Sequence, residues 1–163
     1  MYNGKLGKNV LLTGATGGIG KELAKQFVTL GYNILLTSTN EEKLISLKNQ
    51  IRTTNSRVQI EHFPALLDQE SDIDKLIQFV RDTFKKIHIL VNCAGVFEVS
   101  ELGDVTRESY KKSFDVNVTA PFLLSQEFSK DMIEAKKGKI VNIGSSSAYA
   151  GFSNTSVYCS TKH

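Results

Sequence analysis

The chain has 163 residues, 40% of them hydrophobic and 23% charged, with a formal net charge of +3. That length suits one domain, 1–163, with a sizeable core, and that composition excludes a disordered chain. The small, evenly spread charge argues against nucleic acid or a membrane surface as partner, no apolar run approaches a spanning helix, and the N-terminus lacks the apolar stretch of a secretory signal.

Apolar runs alternate with amphipathic segments along the chain, without internal repeats. Residues 8–13 (KNVLLT) read as a buried strand. Residues 18–30 place Ile19, Leu23, Phe27 and Leu30 at helical spacing, and Gly31 stops that helix. A second strand is predicted over 32–37. Asn40 can cap the next helix, which carries Leu44, Leu47 and Ile51 on one face. Residues 57–63 alternate and read as a third strand. Ile73, Leu76, Ile77, Val80 and Phe84 line a third helix, and 87–91 (IHILV) is apolar enough for a central strand. Residues 106–136 read as helix in one or two pieces, with Pro121 bending it. A fifth strand at 139–143 and a polar loop at 144–154 lead into a last helix near Thr155.

This alternation implies a parallel sheet with helices on both faces. Right-handed crossovers make it a doubly wound α/β fold, which binds ligands at the carboxyl ends of its strands. Every motif below falls at such an end. Cys93 and Cys159 have neither metal-site spacing nor a disulfide framework, so free thiols in a reducing cytoplasm and no metal are expected.

Thr13-Gly14-Ala15-Thr16-Gly17-Gly18-Ile19-Gly20 follows the first strand and opens the first helix. Glycines let the backbone approach a pyrophosphate, and the helix start offers free N–H groups. The spacing fits two glycine patterns, Thr-Gly-x-x-x-Gly-x-Gly and Gly-x-x-Gly-x-x-Gly, and a purely structural turn competes with both. At the end of the second strand an acid would accept from a ribose 2′-hydroxyl and repel a 2′-phosphate. Here stand Thr37, Ser38, Thr39 and Asn40, with no acid before Glu41 and no local lysine or arginine. NADP(H) is favoured over NAD(H).

Tyr158 and Lys162 lie four apart on the last predicted helix, hence on one face. Alone, such a pair is common on surfaces. Its context is Ser145 past the fifth strand, Asn117 within Phe114–Val118, and Asn92-Cys93-Ala94-Gly95 after the fourth strand. Together these motifs resemble the short-chain dehydrogenase/reductase family, in its single-domain branch, over essentially the whole chain. The Asn-Cys-Ala-Gly segment favours that branch over the epimerase-like one and settles the glycine spacing.

The resemblance implies a Rossmann fold and a hydride transfer between a nicotinamide and a carbonyl/alcohol pair. Gly14, Gly18 and Gly20, with Thr16 and Ile19, would hold the pyrophosphate, and Ser38 and Thr39 the adenosine ribose. Asn92, Ala94 and Gly95 would back the adenosine side. Tyr158 would be the acid in reduction and the base in oxidation. Lys162 would hold the nicotinamide ribose and favour the tyrosinate, Ser145 would bond the substrate oxygen, and Asn117 would hold a water relaying protons through Lys162. Cys93 replaces the family's usual second asparagine. Leu66 occupies a place where an aspartate often holds the adenine amine, so backbone groups or Asp68 would have to serve.

The nearest resemblance is to 3-oxoacyl-[acyl-carrier-protein] reductases, ahead of polyol and steroid-type enzymes. A homodimer or homotetramer in the cytoplasm is expected. The chain stops at His163, so the resemblance implies that the family's last strands and substrate loop lie outside it, and that this piece alone turns over little or nothing. Two other classes compete: a dinucleotide-binding regulator without turnover, and an interaction domain using the fold alone. The full set of Asn117, Ser145, Tyr158 and Lys162 argues against the regulator.

Overall fold

The computed structural model describes residues 7–163. Residues 1–6, on which the expectation about a secretory signal falls, lie outside it. Five strands, β1 (Asn9–Thr13), β2 (Asn33–Ser38), β3 (Ile60–Pro64), β4 (Ile89–Asn92) and β5 (Lys139–Asn142), pair in the order β3-β2-β1-β4-β5, all parallel. The order reverses between β1 and β4, which opens a cleft at their carboxyl ends.

Alternation along the strands builds a core on each face. Val10 and Leu12 of β1 with Ile34 and Leu36 of β2 pack on α1 (Gly18–Thr29) and α2 (Glu41–Arg52) through Ala24, Val28, Leu44, Leu47 and Ile51. Leu11, Leu35 and Leu90 turn to the other face. There they meet Leu76 and Val80 of α3 (Glu70–Phe84) and Leu124 and Phe128 of α5 (Ala120–Glu134). Asn40 caps α2 as expected, accepting from Lys43 N at 2.8 Å. Gly31 follows α1 with φ +86°, a conformation open to glycine without a Cβ penalty.

Two elements differ from expectation. β3 starts at Ile60, because Asn55 Oδ1 accepts from Arg57 N at 3.1 Å and folds that stretch into a local turn. Pro64 closes this edge strand, where a missing N–H does no harm. The long helix runs on from α4 (Arg107–Phe114) to α5 in helical backbone conformation, but its α pattern is interrupted by a π turn at Asp115–Thr119, just ahead of Pro121. Pro121 sits in α5's first turn and has no N–H to give back to the π turn, which leaves a carbonyl there without its helical partner. A short helix, α6 (Ser156–Lys162), ends the chain. No helix among the described residues is long and apolar enough to cross a membrane.

Candidate active site

Gly14 leaves β1 with φ +64°, and a Cβ there would lie 2.7 Å from the Ala94 backbone. A Cβ at Gly20 would lie 2.2 Å from the Gly14 carbonyl oxygen. Both positions therefore demand glycine, and Gly20 turns inward, locking α1 onto the turn. Gly18 faces outward, where a Cβ would meet nothing within 4 Å, and Ile19 is exposed beside it. Gly17 gives α1 no side-chain cap, so the first-turn N–H groups point free into that open space. The cradle fits a pyrophosphate.

The turn is pinned to its neighbours. Thr13 Oγ1 accepts from Cys93 N at 3.1 Å and Ala94 N at 3.0 Å, joining the ends of β1 and β4. Thr16 and Ser38 share a hydrogen bond of 2.6 Å between their hydroxyls, so the position that could carry an acid is closed by two neutral groups. Beside them lies a cavity of about 410 Å³, lined by Gly14, Thr16, Ser38, Thr39, Ala94 and Gly95 among others. Lys112 of α4 lines it too, so a cation does face this cleft, though it comes from 73 positions beyond Thr39 rather than from the β2 end.

Asn92 does not face this cavity. Its Nδ2 donates to Asn142 Oδ1 at 2.8 Å and Ser125 Oγ at 3.3 Å, tying β4 to β5 and α5. Cys93 is half-buried at the cleft. Burial pushes its thiol up, against the pull of the nearby Lys162 ammonium.

The π turn aims Asn117 at the exit of β4. Its Oδ1 accepts from Val96 N at 2.9 Å, and its Nδ2 donates to Val96 O and to Thr161 Oγ1, both at 2.9 Å. Both amide hydrogens are thus spent on clamping β4's exit and α6 to the π turn. A Cβ on Gly95 would sit 3.4 Å from Asn117 Oδ1 and 3.8 Å from Lys162 Nζ, which places these three residues together. Lys162 Nζ donates to Ile143 O at 3.1 Å and lies 5.8 Å from the centre of the Tyr158 ring. Phe97 packs edge-on against that ring at 4.7 Å.

Ser145 follows β5 and caps a tight turn at Ser146–Ala148, its Oγ accepting from Ser147 N at 3.1 Å. Among the described residues no hydrogen bond joins Ser145 to Tyr158. The sequence reading missed Thr13, Phe97 and Lys112. Thr13 carries a signal, a hydroxyl residue ending a strand before glycine. The other two carry none, since their place depends on how loops and helices pack.

A doubly wound sheet with a glycine turn at its switch point and a tyrosine–lysine helix beside it defines a nucleotide-cleft protein of the dehydrogenase type. The chain belongs to the short chain dehydrogenase family, whose model matches residues 8–163. It is 35% identical over 156 residues to an L-xylulose reductase of Caenorhabditis elegans, covering 95% of this chain and 60% of that protein. A metagenomic short-chain oxidoreductase solved in complex with NADP superposes with a TM-score of 0.90 at 28% identity, over 96% of this chain and 71% of that one. An NAD+-bound xylitol dehydrogenase superposes with a TM-score of 0.88 at 27% identity, over 98% and 61%. The chain spans about 60% of the length of the curated relatives it matches.

Proposed function

We propose that the protein is an NAD(P)(H)-dependent oxidoreductase that interconverts a carbonyl and a secondary alcohol. The observation that carries this reading is the convergence of Asn117 and Lys162, with Tyr158 on the same helix as Lys162, on Gly95, a residue that itself lines the glycine-turn cleft. The bound dinucleotide would supply or accept the hydride. Tyr158 would protonate the carbonyl oxygen in reduction and take the alcohol's proton in oxidation. The Lys162 ammonium would hold the nicotinamide ribose. Ser145 Oγ spends a lone pair on Ser147 N, which leaves its own hydrogen for the substrate oxygen. Loss of such a donor costs about 10²–10³ in rate. The Asn117 side chain is committed to Val96 and Thr161, so its part in proton transfer falls to the backbone opened by the π turn.

NADP(H) is the favoured cofactor. The neutral Thr16–Ser38 pair supports this, because no carboxylate repels a 2′-phosphate there. Similar structures include both an NADP complex and an NAD+ complex. Sugar and polyol substrates gain support from the names of the relatives, and 3-oxoacyl thioesters are the alternative within the class. The whole protein would act as a cytoplasmic homodimer or homotetramer.

The 163-residue chain would bind dinucleotide with little or no turnover, because the catalytic pair stands on a helix of only seven residues. Turnover with NADPH and a panel of ketones is measured on this chain and on one extended past His163 to the relatives' length. In the extended chain Tyr158→Phe should lower kcat by about 10³ or more, leaving the Kd for NADPH within about twofold. Unchanged kcat would refute Tyr158 as the acid–base group.

A further inference from the structure

Charge that is spread evenly along the sequence is gathered by the fold at the amino end of the sheet, away from the glycine turn. Lys8 leads into β1, His88 into β4 and Lys137 into β5, which Lys139 opens. These three strands lie side by side, so the residues meet around one hollow of about 160 Å³, lined by Lys8, Tyr32, His88, Lys137, Gly138 and Lys139 among others. No carboxylate lines it. The acids nearest along the chain are taken, Glu134 by Lys86 at 3.4 Å and Asp131 by Arg81. The Lys8, Lys137 and Lys139 ammoniums have no ion pair and no hydrogen bond among the described residues.

A lysine after a helix commonly serves the last carbonyls. Here the backbone already does so: Lys136 N donates to Ile133 O at 3.0 Å and Lys137 N to Met132 O at 2.9 Å. A Cβ on Gly138 would lie 2.2 Å from Met132 Cγ, so glycine lets this loop close onto α5 and fixes the hollow's wall. His88 Nδ1 accepts from Asn9 N, which leaves the ring's hydrogen on Nε2, with no acceptor among the described residues. Burial first, then the Lys8 and Lys137 ammoniums, hold that ring's pKa below its ordinary value, so both charges stand close to it.

We propose that this hollow binds a phosphoryl group, as free phosphate or as the head of a phosphomonoester. Three ammoniums supply the charge, and His88 Nε2–H supplies a directed donor. The bound dianion neutralises cations that otherwise repel one another across the starts of three strands, and so ties β1, β4 and β5 together at the end opposite the dinucleotide cleft. The site is separate from that cleft and does not depend on the oxidoreductase reading.

The chain's three histidines, His62, His88 and His163, make the test local. Their ring Hε1 resonances are followed by NMR on the 163-residue chain, near neutral pH and at fixed ionic strength, while inorganic phosphate is added. His88 should shift and saturate with a Kd of about 1 mM or tighter, while His62 and His163 hold still. Lys8→Gln and Lys137→Gln should each weaken binding by about threefold or more. Lys137 is exposed, so its variant tests the site even if Lys8→Gln disturbs the start of β1. Lys43→Gln, which removes the same charge from the first turn of α2 at the other end of the sheet, should leave the Kd within about twofold. A second titration with a hexose 6-phosphate identifies the source. Weaker binding than inorganic phosphate assigns the site to the free anion, and binding as tight or tighter assigns it to the ester head. A His88 resonance that stays put at about ten times the expected Kd overturns the proposal. So does a Kd that Lys43→Gln weakens as much as Lys137→Gln does.

Discussion

The two flanks of the sheet are held in different ways. Every residue of β1 is buried, and β2 is buried through its centre, because helices cover both faces there. All four residues of β5 are exposed, Ile140 at 38% and Val141 at 41%. On the first flank the glycine turn is fixed by backbone against backbone, at Gly14–Ala94 and Gly20–Gly14. On the second, Tyr158 and Lys162 depend on a few side-chain bonds: Asn117 to Val96 and Thr161, and Lys162 to Ile143. The contrast teaches that one fold can fix its phosphate cradle by backbone contacts while its acid–base helix is held by a side-chain clamp to the π turn and by packing on α4.

The sharpest way to break this contrast is at Gly20. Gly20→Ala would put a methyl 2.2 Å from a backbone oxygen that cannot swing aside. Overpacking against backbone should cost about 3 kcal/mol or more and abolish dinucleotide binding. Gly18→Ala, with open space around it, should leave stability within about 1 kcal/mol. Denaturant unfolding of both variants checks this. Equal stability would mean that the turn is not locked by its backbone contacts.

A pair of core substitutions sharpens the comparison between flanks. Leu11 is fully buried between α3 and α5 packing, so Leu11→Ala should cost about 2–5 kcal/mol. Ile140 on β5 keeps much of its surface in water, so Ile140→Ala should cost less than about 1 kcal/mol. In a chain extended to the relatives' length, the cost at Ile140 should rise towards that at Leu11. A cost at Ile140 that stays small there would mean that β5 is uncovered in the longer protein as well.

The same contrast governs what could be read from the sequence. The first flank is built from local rules. Alternation of Val10, Leu11 and Leu12, the Asn40 cap and the Gly31 stop are visible in a few residues each. The glycine turn and the tyrosine–lysine spacing are equally local, and they led to the family. What escaped was set at a distance. The start of β3 depends on Asn55 capturing Arg57 N, so an alternating pattern alone ran three residues too far. The π turn at Asp115–Thr119 has no local signal, because Asn117 reaches Val96 and Thr161 on other elements. Lys112 reads as a solvated lysine until α4 packs across the cleft.

The smallest expected effect lies at the opposite end of the sheet, under the well-packed flank. His88 Nδ1 accepts from Asn9 N at 3.0 Å, a bond that needs the neutral ring. Burial, with Lys8 and Lys137 nearby, holds its pKa below the ordinary 6.5. Above pH 6.5 the ring is neutral folded or unfolded, and its contribution to stability is fully present. As pH falls through that value, the unfolded chain takes up a proton that the native ring refuses, so stability declines until the lower folded value is passed. His88→Asn offers Oδ1 as a substitute acceptor but cannot titrate. The Tm of the wild-type chain should therefore fall more steeply from pH 7 to pH 5 than that of the variant, by no more than about 3 °C. Parallel curves would place the acid sensitivity elsewhere, and would show that the base of β1 and β4 is as indifferent to this bond as β5 is to its neighbours.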